Sequence, residues 1–275
     1  MHRGQRLAIL GTGFIAGACL WAGEPTKLPS LEPLRTDADV KPVVATVQVV
    51  EPGMTGVDAF PKAMASAQAA MAKVRDYSAY LVREERINGK LLPTQTAELR
   101  LRSEPFSIYT KTIAPKNLLN QELAYVSGRK DERVRVKLPG VAGAAGFQSV
   151  AMTDAKANAD SKYTLANTGM AAILKRVDVA MDAERKAKTK PEVLMADYKF
   201  DGKVCTRYEV LCEFPHKFRM AAKFVVYFEQ ETKLPIRFEM YDAAKRAETE
   251  GGLMECVSFM SLKLNGALGD GVFDK

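Results

Sequence analysis

Histidine is nearly absent. His2 and His216 are the only two in 275 residues. With His2 set aside in the N-terminal stretch, a zinc site built on two histidines is excluded. His216 would also be the only imidazole base for a serine or cysteine nucleophile, and its setting, "FPHKF", reads as a loop after a strand. No G-x-S-x-G elbow occurs, and "KLPGVAGAAG" lacks the Gly-Lys-Ser/Thr ending of a phosphate loop. No Lys/Arg cluster is interleaved with aromatics. The net charge of +7 therefore suits an anionic surface such as lipid headgroups or cell-wall polymer, not nucleic acid. These absences predict a protein that is not an enzyme and takes no cofactor and no metal.

Long apolar runs are also missing. Leu7–Ala18 is short of the roughly 20 residues of a membrane span and is followed by Glu24 and Pro25. Within it, "GTGFIA" fits the dinucleotide fingerprint G-x-G-x-x-G/A letter by letter. The helix that must follow such a turn meets Pro25 too soon. The export reading accounts for more residues: Arg3 and Arg6 in front, the apolar run, and the small-residue site Ala16-Gly17-Ala18. Cys19 comes directly after Ala18, so the segment also resembles a lipobox, with Ala16 where Leu or Val is usual. Either Cys19 is lipidated or it is an ordinary cysteine at the cut. Residues 1–22 are thus expected to be a signal peptide, and the protein to act in the periplasm or cell envelope. Residues 23–56, broken by Pro25, Pro29, Pro33, Pro42 and Pro52, read as a flexible linker. Residues 57–275 are long enough for one domain with a real core.

Cysteine is scarce there. Cys205 and Cys212 lie seven apart on one predicted strand and so face opposite sides. One of them could pair with Cys256 in an oxidising compartment, or all three are small buried hydrophobes.

The remaining pattern is clear. Asp58–Arg75 is helical in period, with Asp58 as cap, Pro61 in the first turn, and a stripe of Met64, Ala67, Met71 and Val74. The period then becomes two. "YSAYLVREERI" runs into Asn88-Gly89, a favoured two-residue hairpin turn. "TAELRLRS" sets Ala97, Leu99 and Leu101 against Glu98, Arg100 and Arg102. "PFSIYTKTIAP", "QELAYVSG", "ERVRVKL" and "GFQSVAM" continue the series. A second helix spans about Thr168 to Lys186, capped by Asn167 or Thr168, with a stripe of Met170, Leu174, Val177 and Met181. Strands resume with "LMADYKF", a turn at Asp201-Gly202, "KVCTRYEVLCEF", "KFVVYFEQ", "LPIRFEMYD" and "LMECVSFMSLKLN". One apolar and one wet face per strand means antiparallel sheet. The expected fold is α+β: a curved antiparallel sheet of about 10–11 strands, a half-open barrel, with two helices on its concave face.

"VRDYSAYLVREERINGKLLP", "SEPFSIYTKTIAP", "LPIRFEMYD" and "FMSLKLNGALGDGVFD" together resemble an uncharacterised family of exported bacterial proteins, a domain of unknown function. "LMECVSF" departs from it, standing where a Glu- and Tyr-rich strand is expected. The element order is similar to the lipoprotein-carrier fold of LolA, LolB and RseB type. That resemblance implies a half-open barrel lidded by helices, its concave face holding acyl chains.

Methionines give the candidate site its shape. Flexible thioethers suit a pocket for varied apolar chains. If both helical stripes face the sheet, Met64, Met71, Met170, Leu174 and Met181 would line a cavity with Leu99, Leu101, Ile108, Phe224 and Phe238, and with Tyr125 and Val136. The alternative is that these residues simply fill a core. Glu84 and Glu85, with Arg83 and Arg86, are expected to form cross-strand ion pairs, as are Asp197 and Glu209 with Arg207. Arg100/Arg102 and Arg133/Arg135/Lys137 form basic rows on the outer face. The expected function is an exported binding protein for a lipid or lipoprotein acyl chain, touching a membrane only peripherally or through a lipid anchor. The alternative is an interaction or sensor module with a filled core that binds a cell-envelope protein or cell-wall partner.

Overall fold

The computed structural model of the chain describes residues 56–129, 132–158, 160–212, 219, 221–243 and 252–275. The signal and linker segments, Cys19 and His216 lie outside the described residues.

The elements follow in order: α1 (Ala59–Met71), β1 (Asp76–Ile87), β2 (Lys90–Leu91), β3 (Gln95–Arg102), β4 (Ser107–Ala114), β5 (Glu122–Val126), β6 (Val134–Lys137), β7 (Gln148–Val150), the short α2 (Ala155–Asn158), α3 (Met170–Ala187), β8 (Glu192–Phe200), β9 (Lys203–Leu211), β10 (Lys223–Glu229), β11 (Pro235–Tyr241) and β12 (Leu253–Leu264). Twelve antiparallel strands form one sheet, ordered β7-β6-β5-β4-β3-β1-β12-β11-β10-β9-β8, with β2 paired only to the end of β1. It is two meanders joined where β1 meets β12, with Tyr77 opposite Leu264 and Glu85 opposite Glu255. β7 and β8 are the two edges, so the sheet does not close. The expected α+β class with a half-open antiparallel sheet is what the chain forms. The two-residue β2 is the strand beyond the expected 10–11; Pro93 separates it from β3.

Local chemistry sets the turns. Asn88 (φ 51°) and Gly89 (φ 80°) join β1 to β2, and Asp201 (φ 51°) and Gly202 (φ 73°) join β8 to β9. Both pairs adopt the left-handed values of type I′ turns, whose twist matches that of the strands.

The alternation of each strand buries one face. Leu99 and Leu101 on β3, Val134 and Val136 on β6, and Phe224, Val226 and Phe228 on β10 all enter one core with the apolar faces of α1 and α3. Both helices therefore pack on the same face of the sheet, as expected. The opposite face carries two smaller clusters. In one, Phe273 from the C-terminal segment packs on Tyr109, Ala124 and Val126. In the other, Cys205, Val225, Tyr227 and Ile236 meet. Cys205, Cys212 and Cys256 are all free and buried, so no disulfide joins them.

The helix caps differ from expectation. Asp58 occupies the N-cap of α1 but makes no side-chain cap bond. The N-cap of α3 is Gly169, not Asn167 or Thr168. Gly169 has φ +112°, and a Cβ there would stand 2.7 Å from the Tyr77 hydroxyl and 2.8 Å from Leu101 Cδ1. Only glycine fits. The close approach lets the Met170 backbone N–H donate to the Tyr77 hydroxyl at 3.1 Å, so a residue of the sheet caps the helix in place of a local side chain.

Candidate functional site

The ten residues expected to line a pocket come together. Met64, Leu99, Leu101, Ile108, Met170, Leu174, Phe224 and Phe238 are buried in one cluster between sheet and helices, and Met71 and Met181 are half-buried against it. Tyr125 and Val136 join the same cluster. Aromatic residues that the sequence reading left out complete it. Phe60, one turn before Met64 on α1, packs its ring 5.3 Å from that of Tyr208 and 6.5 Å from that of Phe228. Tyr208 and Phe228 are themselves 5.9 Å apart. The signal was present: Phe60 lies on the Met64 stripe, and alternation puts Tyr208 and Phe228 on the inner faces of β9 and β10.

The two helices are attached by different chemistry. Among the described residues, no side-chain hydrogen bond or ion pair ties any residue of α1 to the rest of the molecule. Phe60, Met64 and Ala67 hold it by apolar contact. α3 is clamped at three points. Its first N–H is held by Tyr77. In its middle, Arg176 donates to both oxygens of Glu255 at 2.9 and 3.0 Å. Near its end, Glu184 accepts from Arg219 at 2.6 and 2.7 Å, a pair in which neither side chain is more than 7% exposed. The Arg219 guanidinium holds the Glu184 carboxyl below its usual range.

The Arg176 clamp belongs to a polar node on the otherwise apolar face. Glu85 and Glu255 are cross-strand neighbours. Their mutual repulsion is answered from both sides. Glu255 accepts from Arg176 and, at 2.9 Å, from the Tyr163 hydroxyl. Glu85 accepts from the Ser161 hydroxyl at 3.1 Å and the Lys162 backbone N–H at 2.6 Å, with Arg83 3.6 Å away. Arg176 also lies over the Tyr163 ring, 4.1 Å from its centroid. Burial pushes the Glu255 carboxyl up, and Arg176 and Tyr163 oppose the shift only in part. A cavity of about 20 Å³ sits between these groups and Leu81, Ile173 and Val257. All four carboxylate oxygens have partners. Such an arrangement pins α3 and the segment before it to the sheet.

The ion pairs expected across strands for Glu84 and Glu85 differ in the structure: Arg83 approaches Glu85 along the same strand, at 3.6 Å, and donates across the strands to Gln95 at 2.9 and 2.6 Å. Glu84 accepts from the Thr94 hydroxyl at 2.5 Å instead, and Arg86 donates to the backbone oxygens of Leu253 and Gly89. Arg207 pairs with Glu209, whereas Asp197 accepts from Gln230 and Thr206.

Beside α1 the inner face opens to the surface. One groove of about 270 Å³ is lined by Lys62, Ala63 and Ser66 of α1 and by Tyr208, Phe228 and Lys233. A second, about 400 Å³, shares Ser66 and Lys233 and extends to Lys73, Leu234 and Leu264. On the outer face, Arg102 reaches Asp270 at 2.6 Å, and Lys137 reaches Glu122 at 3.1 Å. Arg133 and Arg135 are exposed beside a groove of about 500 Å³ that ends at Phe273 and Lys275. No helix of the described residues is long and apolar enough to cross a membrane.

No curated protein matches the chain. Solved structures similar to it include a DUF1329 family protein from Desulfovibrio piger, at 14% identity and TM-score 0.38, covering 80% of this chain and 98% of that one. A LolA superfamily protein from Nitrosomonas europaea is similar at 11% identity and TM-score 0.32, covering 78% and 97%. The Mycobacterium tuberculosis lipoprotein LppX is similar at 9% identity and TM-score 0.42, covering 76% and 98%. A family model described as "Protein of unknown function (DUF1571)" matches residues 74–275, the whole sheet with α2 and α3 but not α1. The chain belongs to the DUF1571 family.

Proposed function

We propose that the protein is an exported, non-enzymatic binding protein that holds an apolar ligand, a lipid or acyl chain, between the sheet and α1. One observation carries this reading. α1 covers the aromatic floor of Phe224, Tyr208 and Phe228 without a single side-chain hydrogen bond or ion pair among the described residues, while α3 is clamped by buried polar groups. An apolar lid can exchange its contacts for those of an apolar guest at little net cost, because both bury similar surface at about 25 cal/mol per Å². A clamped helix cannot, since opening it strands buried charges. The lid is thus α1 alone. Met64 and Met71 supply adaptable contacts on its inner side, and the open grooves along it give the way in. The Met170, Leu174 and Met181 stripe of α3 forms the fixed wall, with Leu99, Leu101, Ile108 and Phe238 beneath. The N-terminal export features support a site of action in the periplasm or cell envelope.

The test is organic extraction of natively purified protein with mass spectrometry, joined to titration with the neutral apolar probe N-phenylnaphthylamine. Co-purifying lipid and saturable probe binding are expected. Their joint absence would favour the second reading, an interaction module. That reading draws on the close packing of the ten candidate residues and on the exposed Arg133 and Arg135 of the outer face.

A further inference from the structure

The two grooves beside α1 share Ser66 and Lys233 and so form one channel along the helix. Its walls are unlike in character. The floor is apolar, made of Tyr208 and Phe228 at one end and Leu234 and Leu264 at the other. From α1 come Lys62, Ser66, Ala69 and Ala70, and from the turn after it Lys73. The four helical residues fall at i, i+4, i+7 and i+8, a single helical face. Small residues hold the middle, so nothing on the helix fills the channel there. A lysine stands at each end, Lys62 in the first turn of the helix and Lys73 just past its last residue. Lys233, in the β10–β11 turn, faces them across the channel.

The charges do not cancel. Lys62, Lys73 and Lys233 are exposed, and among the described residues none is in an ion pair. Lys233 donates only to the Gln230 backbone oxygen, at 2.5 Å. Of the two carboxylates on the channel, Glu229 is already engaged by Lys203 at 2.9 Å and by the Thr232 hydroxyl at 2.5 Å, and Glu231 is exposed at the rim.

We propose that this channel binds an amphiphile with an anionic head group, its alkyl chain on the Tyr208–Phe228–Leu234–Leu264 floor and its head held at one end, by Lys233 with either Lys62 or Lys73. The inference rests on the carrier reading and names the ligand class within it. The head group is a carboxylate or a phosphate. Ammonium groups on flexible stems meet either as point charges, and the chain is bound by burial alone.

The experiment compares oleate and lysophosphatidylglycerol with oleyl alcohol as competitors for N-phenylnaphthylamine, on the full chain and on a K62Q/K73Q/K233N triple variant. Asparagine is used at 233 because Lys233 has φ +65°, which asparagine tolerates. The wild type is expected to bind at least one anionic competitor tenfold or more tightly than the alcohol. That preference should shrink in 0.5 M salt and vanish in the variant, whose affinity for the alcohol stays within twofold. Which anionic competitor wins identifies the head group. Equal affinity for acid and alcohol, or a preference that survives in the variant, overturns the inference and leaves the carrier reading standing. Failure of all three to bind removes both.

Discussion

If α1 is the lid, it must open on its own, and the difference from α3 should be large enough to measure. Fully burying a Phe or Met side chain is worth about 1.5–3 kcal/mol. Phe60 and Met64 with the Ala67 methyl thus hold α1 with about 4–7 kcal/mol. The same rate gives about 6–12 kcal/mol for Met170, Ile173, Leu174 and Val177 on α3. Glu184–Arg219 adds to this, since separating a buried pair costs about 3–5 kcal/mol when one charge is stranded. The gap is at least about 4 kcal/mol, or roughly a thousandfold in opening constant at ~1.4 kcal/mol per tenfold. A helix of 13 residues is marginal once undocked, so undocking suffices to expose its amides. Hydrogen–deuterium exchange read by mass spectrometry at neutral pH should show a peptide over 59–71 exchanging roughly a thousandfold faster than one over 170–187, through local opening. A saturating apolar ligand should slow the first and leave the second unchanged. Exchange of both helices at one common rate would refute the assignment of α1 as an independent cover.

Three further outcomes follow from the geometry. Gly169→Ala should cost about 2–4 kcal/mol in urea unfolding, because the φ of +112° is a glycine-only region and the new Cβ meets the Tyr77 hydroxyl. Tyr77→Phe should cost about 1–3 kcal/mol by orphaning the Met170 N–H. In the double variant the hydroxyl that clashes is gone, so the losses should sum to less than their total; strict additivity would contradict the cap. The acid limb of the stability profile should depend on Glu184 and Glu255 in opposite senses. The Glu184 carboxyl is lowered by Arg219 from 4.5, so its contribution is present above pH 4.5 and lost as pH falls through the folded value. Glu255 is raised by burial, so its contribution is full below 4.5 and lost as pH rises through the folded value. Glu184→Gln should therefore flatten the loss of stability on acidification and Glu255→Gln should steepen it, as measured by melting temperature from pH 7 to 3; equal slopes would rule this out. Burial pushes the thiols of Cys205, Cys212 and Cys256 up to about 11. All three should resist Ellman's reagent at pH 8 in the folded protein and react in denaturant, whereas a disulfide in peptide maps would contradict the structure.

Much of the sheet was readable because each strand keeps one face in the core. Ala97-x-Leu99-x-Leu101 and Val134-x-Val136 announce both strand and inward face, and Asn88-Gly89 and Asp201-Gly202 announce their turns. The helical stripes were readable for the same reason, so the ten candidate residues do meet. What could not be read is how the helices are held. Arg176 falls off the apolar stripe, where the helical period expects solvent, and Glu255 lies 79 residues from Arg176. Glu184 continues the stripe seven residues after Val177, but its partner Arg219, 35 residues on, has no local signal. Asn167 and Thr168 looked like caps because their side chains can reach backbone N–H groups; the cap in place comes from Tyr77, 93 residues away. The apolar cover that Phe273 gives the outer face was equally hidden, since Phe273 follows a glycine-rich stretch with no period.

The chain path explains why only one helix needs a polar clamp. β7 and β8 are the sheet's two edges, yet they are consecutive strands in the chain. The segment between them, with α3 as its main element, must therefore carry the chain from one edge to the other across the inner face. Freed, it would leave both meanders without the wall that spans them. Glu85 and Glu255 stand on β1 and β12, the strands where the meanders join. Arg176, Tyr163, Ser161 and the Lys162 N–H thus fasten the crossing segment to the middle of the sheet. Two carboxylates buried side by side are costly, and an apolar pair would pack there at no electrostatic cost. Their effect is positional: they fix α3 in one register against the sheet. α1 bears no such duty: it precedes β1, and beyond its apolar contacts its N-terminal side is held by one backbone bond, from the Gly56 N–H to the Val193 oxygen of β8 at 2.8 Å. The division lets one helix keep the half-open sheet in shape and leaves the other free of that task, as the proposed lid requires.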